Sequence, residues 1–166
     1  MDRKSFIKKG LMGTGLLLAS PLTTAFAQEN TLFDAEEIRE FVGAAHRDFE
    51  ETKRIIEQKP LLLNCTNQGR KGDFETAMGG ACHVGQPEIA ELLIGKGARL
   101  DMFNLAFLGF DEHIMALVSR FPALLRAPGP HGFSLLHHAQ VGGHEGLSQW
   151  LQGQGLTERQ VPLQVE

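Results

Sequence analysis

The stretch GFSLLHHAQVGGH, residues 132–144, carries a hydroxyl residue at Ser134, a small residue at Ala139 and a glycine at Gly143. The run EGLSQWL and a closing Gly155 follow it. The same order stands upstream between Thr76 and Ala98. There Thr76, Ala81 and Gly85 keep the spacing, EIAELLI supplies the apolar run and Gly97 closes it. In that run Ile89, Leu92 and Leu93 fall at i, i+3 and i+4, one face of a helix. In the Thr76 unit the first helix is small-sided and allows close stacking, whereas one helix pair alone cannot bury its apolar face. Stacked neighbours can, so the pattern predicts an all-α solenoid of helix pairs.

Two weaker units complete the series. LAFLGFDEHIMALVSRFP, Leu105 to Pro122, places Gly109 in the glycine slot, and GAAHRDFEETKRIIEQKP, Gly43 to Pro60, places Arg47 there. PLLLN after Lys59 and PALLR after Phe121 share a second signature 62 residues apart. Asp34 followed by Glu37 predicts a capped start for the first helix.

Gly132, Ser134, Leu135, Leu136, His137, Ala139, Gly143 and His144 together resemble the ankyrin-repeat pattern G-x-T-P-L-H-x-A-A-x-x-G-H. The Thr76 unit resembles it through Thr76, Met78, Ala81, Gly85 and Gly97-Ala98, and departs from it where Gly79 replaces the histidine. The resemblance spans about residues 46 to 156 and implies about four units with short hairpin or loop fingers. It also implies scaffold roles for two histidines. His137 would tie the turn to the first helix, and His144 would sit between the two helices. His131 falls in the turn where such proteins present recognition residues.

Three of the seven histidines, His131, His137 and His138, lie within eight positions. Imidazoles so clustered raise metal binding or proton transfer as a question. Adjacent helical positions point about 100° apart, and there is no i, i+4 pair with a nearby acid of the kind that binds zinc on a helix. The expectation is therefore no metal, no cofactor and no catalytic residue. An enzyme or metal protein built on His131, His137, His138 and Glu145 is the alternative.

Uneven spacing marks the expected working surface. The slots at 47, 85, 109 and 143 are 38, 24 and 34 residues apart, against a repeat of about 33 for the resembled family. The surplus falls in NCTNQGRKGDFE, Asn64 to Glu75, a long finger; the deficit removes the finger of the third unit and leaves Asp101 to cap its helix. Loops on a rigid scaffold carry function. Arg70, Lys71 and Phe74 on the long finger, and Pro130, His131 and Phe133 on the next, are the partner-binding candidates, with His83, Phe107 and Phe110 lining the groove between. A disulfide between Cys65 and Cys82 would pin the long finger in an oxidising compartment.

The ends bound the setting. Residues 1–27 have a basic start, an apolar stretch diluted by glycine and an A-x-A end at Ala25–Ala27, the layout of a signal peptide cleaved between Ala27 and Gln28. Arg3, Phe6 and Lys8 resemble a twin-arginine signal, with Lys4 in place of its second arginine. The expected location is the periplasm, by either export route. Removing that segment leaves residues 28–166 with 12 basic and 19 acidic residues, a formal charge of −7, which offers nucleic acid no basic stripe. No membrane span remains after cleavage. The domain would run from 28 to 156 with a tail at 157–166. The leading functional expectation is a non-enzymatic module that binds a protein partner. A self-associating structural protein is a further alternative, because the tail supplies no polar capping helix over Leu147, Trp150 and Leu151.

Overall fold

The chain divides into two units, Met1–Leu32 and Phe33–Glu166. The structure is a computed structural model that describes residues 33–163. The expected signal segment and its cleavage site lie outside the described residues.

Among the described residues the chain is mostly helical, with one two-stranded sheet. Helices α1 (Ala35–Ala45) and α2 (Phe49–Gln58) form the first pair, and α3 (Ala77–Val84) and α4 (Pro87–Gly95) the second. Next come α5 (Met102–Phe107) with α6 (Asp111–Arg120), then α7 (Leu135–Val141) with α8 (Glu145–Gly153). The antiparallel strands β1 (Thr66–Arg70) and β2 (Asp73–Thr76) join the first pair to the second, turning at Gly72. Each first helix packs on the next: α1 on α3, α3 on α5 and α5 on α7.

Local chemistry accounts for these starts. The Asp34 carboxylate accepts the Glu37 backbone N–H while Glu37 accepts that of Asp34, a reciprocal cap. Thr76 and Ser134 cap α3 and α7 from one side only, their hydroxyls accepting from the backbone N–H of Gly79 and His137. With the third finger missing, Asp101 caps α5 directly and accepts from Phe103 and Asn104. The ends recur too. Gly85, Gly109 and Gly143 have φ of 78°, 79° and 78°, and Gly97 and Gly155 have 92° and 91°. After each of the first three, a backbone N–H donates back into the helix just ended: Gln86 to Ala81, Phe110 to Leu105 and His144 to Ala139. Pro60–Asn64 and Pro122–Arg126, the paired signatures, both form 3-10 turns.

The core falls into two clusters. One runs from Phe41 through Ile56, Leu62, Met78 and Leu93 to Phe107; the other runs from Phe103 through Ile114, Leu136, Leu147 and Leu151 to Val161. The tail corrects one expectation. It folds back, Val161 donating to the Gly132 carbonyl and Ser134 to that of Arg159, so that Leu147, Leu151 and Leu156 are fully buried and Trp150 partly so. A returning segment, rather than a polar helix, covers the last pair.

Cys65 and Cys82 are both free thiols, Cys82 buried in α3 with its pKa pushed up to about 12 by burial. No helix among the described residues is long and apolar enough to cross a membrane.

Candidate functional site

Strand β2 inverts the usual amphipathic order. Its residues alternate faces, and the side that points inward carries Asp73 and Glu75, both nearly fully buried, while Phe74 between them is 57 % exposed. Two carboxylates under a hairpin are stable only with partners, since an unpaired buried charge is costly. The partners are imidazoles from three other places in the chain.

His46, at the C-terminal end of α1, brings Nε2 to 3.5 Å from Glu75 Oε1. His83, on α3, brings Nδ1 to 3.0 Å from the same oxygen. His131, in the turn before α7, brings Nε2 to 3.3 Å from Glu75 Oε2. These three nitrogens and the carboxylate all lie within 4.8 Å of one another, and among the described residues they form a group that could hold a metal ion. The His83 ring packs edge-on to both other histidine rings and stacks on Phe133, which in turn stacks on His137 at 4.0 Å.

Asp73 holds His131 from behind. Its Oδ1 accepts the His131 backbone N–H and its Oδ2 the Nδ1–H, both at 2.8 Å. That grip holds His131 at φ 57°, the only described non-glycine residue with positive φ. Such a backbone persists only where its surroundings over-determine it. His46 is fixed likewise, Nδ1 donating to the Val42 carbonyl at 2.8 Å. Its ring lies so close to Gly80 that a Cβ there would stand 2.7 Å from Cε1, so only glycine admits it.

The charges follow from this packing. Burial would raise the Glu75 carboxyl, but the His46 and His83 contacts outweigh it and bring its pKa down to about 2. Asp73 is lowered too, the His131 backbone and ring outweighing burial. His46 is raised, chiefly by Glu75.

The sequence candidates divide on this frame. His83, Phe107 and Pro130 are corrected: all three are buried, His83 among the cluster rings, Phe107 in the first core cluster and Pro130 against Gly79. Arg70 and Lys71 are exposed, Arg70 pairing with Asp73 at 3.1 Å. Phe110 is 43 % exposed on another part of the surface, beside His113. Phe133 is half-buried. His137 Nε2–H donates to the His83 carbonyl while Nδ1 accepts from Arg159, and His144 Nε2–H donates to the Phe107 carbonyl. His138 is buried and donates from Nδ1 to the Ser134 carbonyl. The imidazoles of 131, 137 and 138 are therefore committed to different partners, and only His131 joins a convergent group.

Three members of the real cluster, His46, Asp73 and Glu75, escaped the sequence reading. The available signal was the D-F-E order itself, which buries acids and exposes an aromatic. No protein-family model matches the chain, and no curated protein does.

Proposed function

We infer that the chain is a non-enzymatic binding module, an exported ankyrin-repeat protein that holds a protein partner on its finger face in the periplasm. The recurring glycine φ values and helix-end hydrogen bonds, with the paired 3-10 turns, support the repeat reading. Phe74 carries the functional one. It stands 57 % exposed between two buried carboxylates, on the rim of a cleft of about 240 Å³. Gly72, Thr76, Phe103 and the turn 128–130 also line this cleft. Because Asp73 and Glu75 are held from the inner side by His131, His83 and His46, the strand cannot turn Phe74 inward without pulling both carboxylates away from these partners. The aromatic is thus presented on rigid backbone, the condition under which a single anchor contributes most to affinity. Arg70 and Lys71 flank it as exposed bases on an acidic domain, suited to an acidic rim on the partner.

The test compares partner capture by the full chain and by Phe74→Ala. Loss of about 2 kcal/mol of affinity, roughly thirtyfold, is expected for an aromatic anchor of this kind. Because Phe74 is exposed, the variant should match the parent in circular dichroism and denaturation midpoint. Equal capture by both chains would remove the finger face as the binding site.

A further inference from the structure

The geometry points to a binding site for one divalent transition-metal ion of the zinc class, formed by His46 Nε2, Glu75, His83 Nδ1 and His131 Nε2 at the base of the two fingers. This goes beyond partner binding and stands independently of it.

Three observations carry it. First, the donors are aimed before any ion arrives. His46 Nδ1 and His131 Nδ1 face a carbonyl and a carboxylate, which only accept, so each Nδ1 holds the hydrogen. In the neutral rings both Nε2 atoms then offer lone pairs toward Glu75, itself an acceptor. The Asp73–His131 pair is the carboxylate–histidine arrangement that orients metal ligands from the second layer.

Second, His83 Nδ1 and Glu75 Oε1 are deeply buried and 3.0 Å apart, yet neither makes an aligned hydrogen bond. A cation between them would satisfy both atoms at once. Third, the nitrogens stand 3.0 and 3.5 Å from Glu75 Oε1 and 3.3 Å from Oε2, near the edge of about 3.3 Å of a tetrahedron with bonds of 2.0–2.1 Å, and the whole donor set lies within 4.8 Å. Three imidazoles and one carboxylate suit zinc and its neighbours rather than calcium or magnesium, which take oxygen.

The path in lies beside His131, whose side chain is 37 % exposed on an open pocket lined by Arg70, Lys71 and Gln160. Four protein donors close a tetrahedral site, so its role is structural. The ion ties α1, β2, α3 and the turn before α7 into one unit and holds the two fingers in register.

The test uses the full chain without a polyhistidine tag, stripped with chelator and titrated with Zn²⁺, and with Co²⁺ as a coloured substitute. One ion per chain is expected, with the visible d–d bands of four-coordinate Co²⁺ and no thiolate charge-transfer band. Zn²⁺ should raise the Tm of the stripped protein. His131→Asn keeps the fold, since asparagine accepts a left-handed backbone, and with Glu75→Gln it should lower Zn²⁺ affinity at least ~100-fold; Asp73→Asn should lower it about 10–100-fold. His113→Asn, on the exposed side of α6, should leave it unchanged. A folded chain that binds neither ion would overturn the site and leave a proton-shared network in its place. Binding retained by both His131→Asn and Glu75→Gln, or a thiolate band implicating Cys65 or Cys82, would overturn it equally.

Discussion

Gly142→Ala is expected to destabilise the protein by about 3 kcal/mol, at the upper end for overpacking a filled site. Gly142 has an ordinary φ of −73°, so its backbone does not require glycine. Space does. A Cβ there would stand 2.2 Å from the Phe107 carbonyl oxygen, a backbone atom, and 2.7 Å from His144 Cδ2. The obstacles brace one another, because His144 Nε2–H donates to that same carbonyl at 2.8 Å. Neither is a flexible chain end that can swing aside. Relief requires α7 and α5 to separate, and these first helices carry the contact between the third and fourth pairs. Gly153→Ala is the matched control: it lies in α8 with nothing within 4 Å of its added Cβ. That change should be neutral or stabilise by about 0.5–1 kcal/mol, since alanine restricts the unfolded chain and favours helix. Urea midpoints of the two variants decide the matter. Equal midpoints would show that the interface yields where the geometry says it cannot.

This pair of glycines shows what was legible in the sequence. Gly143 fills a slot in the repeating pattern, and its φ of 78° is the conformation that such a slot asks for. Gly142 beside it fills no slot in the pattern, because its reason for being glycine is a carbonyl 35 positions away in the chain. Helix pairs, their caps and the missing third finger follow from spacing and capping residues, which are local. The histidine cluster does not. His46, Glu75, His83 and His131 come from three elements and a turn, and the density of histidines near 131–138 drew attention to rings that the fold commits elsewhere. His83 was expected to line a groove, yet stacking of α1 on α3, with β1 against the one and β2 against the other, encloses it. Even there one local clue existed: a strand with acids on alternate positions around a phenylalanine has its charges on one face, and that face needed partners.

The second large effect concerns acid. Stability should fall by on the order of 3 kcal/mol between pH 6.5 and pH 4 through His138 alone. Burial pushes its pKa down to about 4 from an ordinary 6.5, against the Ser134 carbonyl hydrogen bond that favours the charged ring. Its Nε2 is buried with no hydrogen-bond partner, so a second proton has nothing to meet. The folded state therefore holds this ring neutral while the unfolded chain protonates it at 6.5. Between those values the unfolded state binds more protons, and stability rises with pH; the contribution is complete above pH 6.5 and lost as pH falls toward 4. His137, also lowered by burial, acts in the same direction. His46 opposes both, because its raised pKa makes protonation favour the folded state. Glu75 and Asp73 enter mainly below these groups, with stability lost as acid approaches their lowered folded values. The net curve mixes these signs, so the measurement is a difference. His138→Asn keeps a donor near the Nδ1 position but cannot titrate. Its stability relative to the parent, read from urea midpoints at pH 7 and pH 4.5, should improve as the pH falls. A constant difference across that range would mean that the buried ring accepts its proton at little cost, and that α7 opens to water more readily than its packing implies.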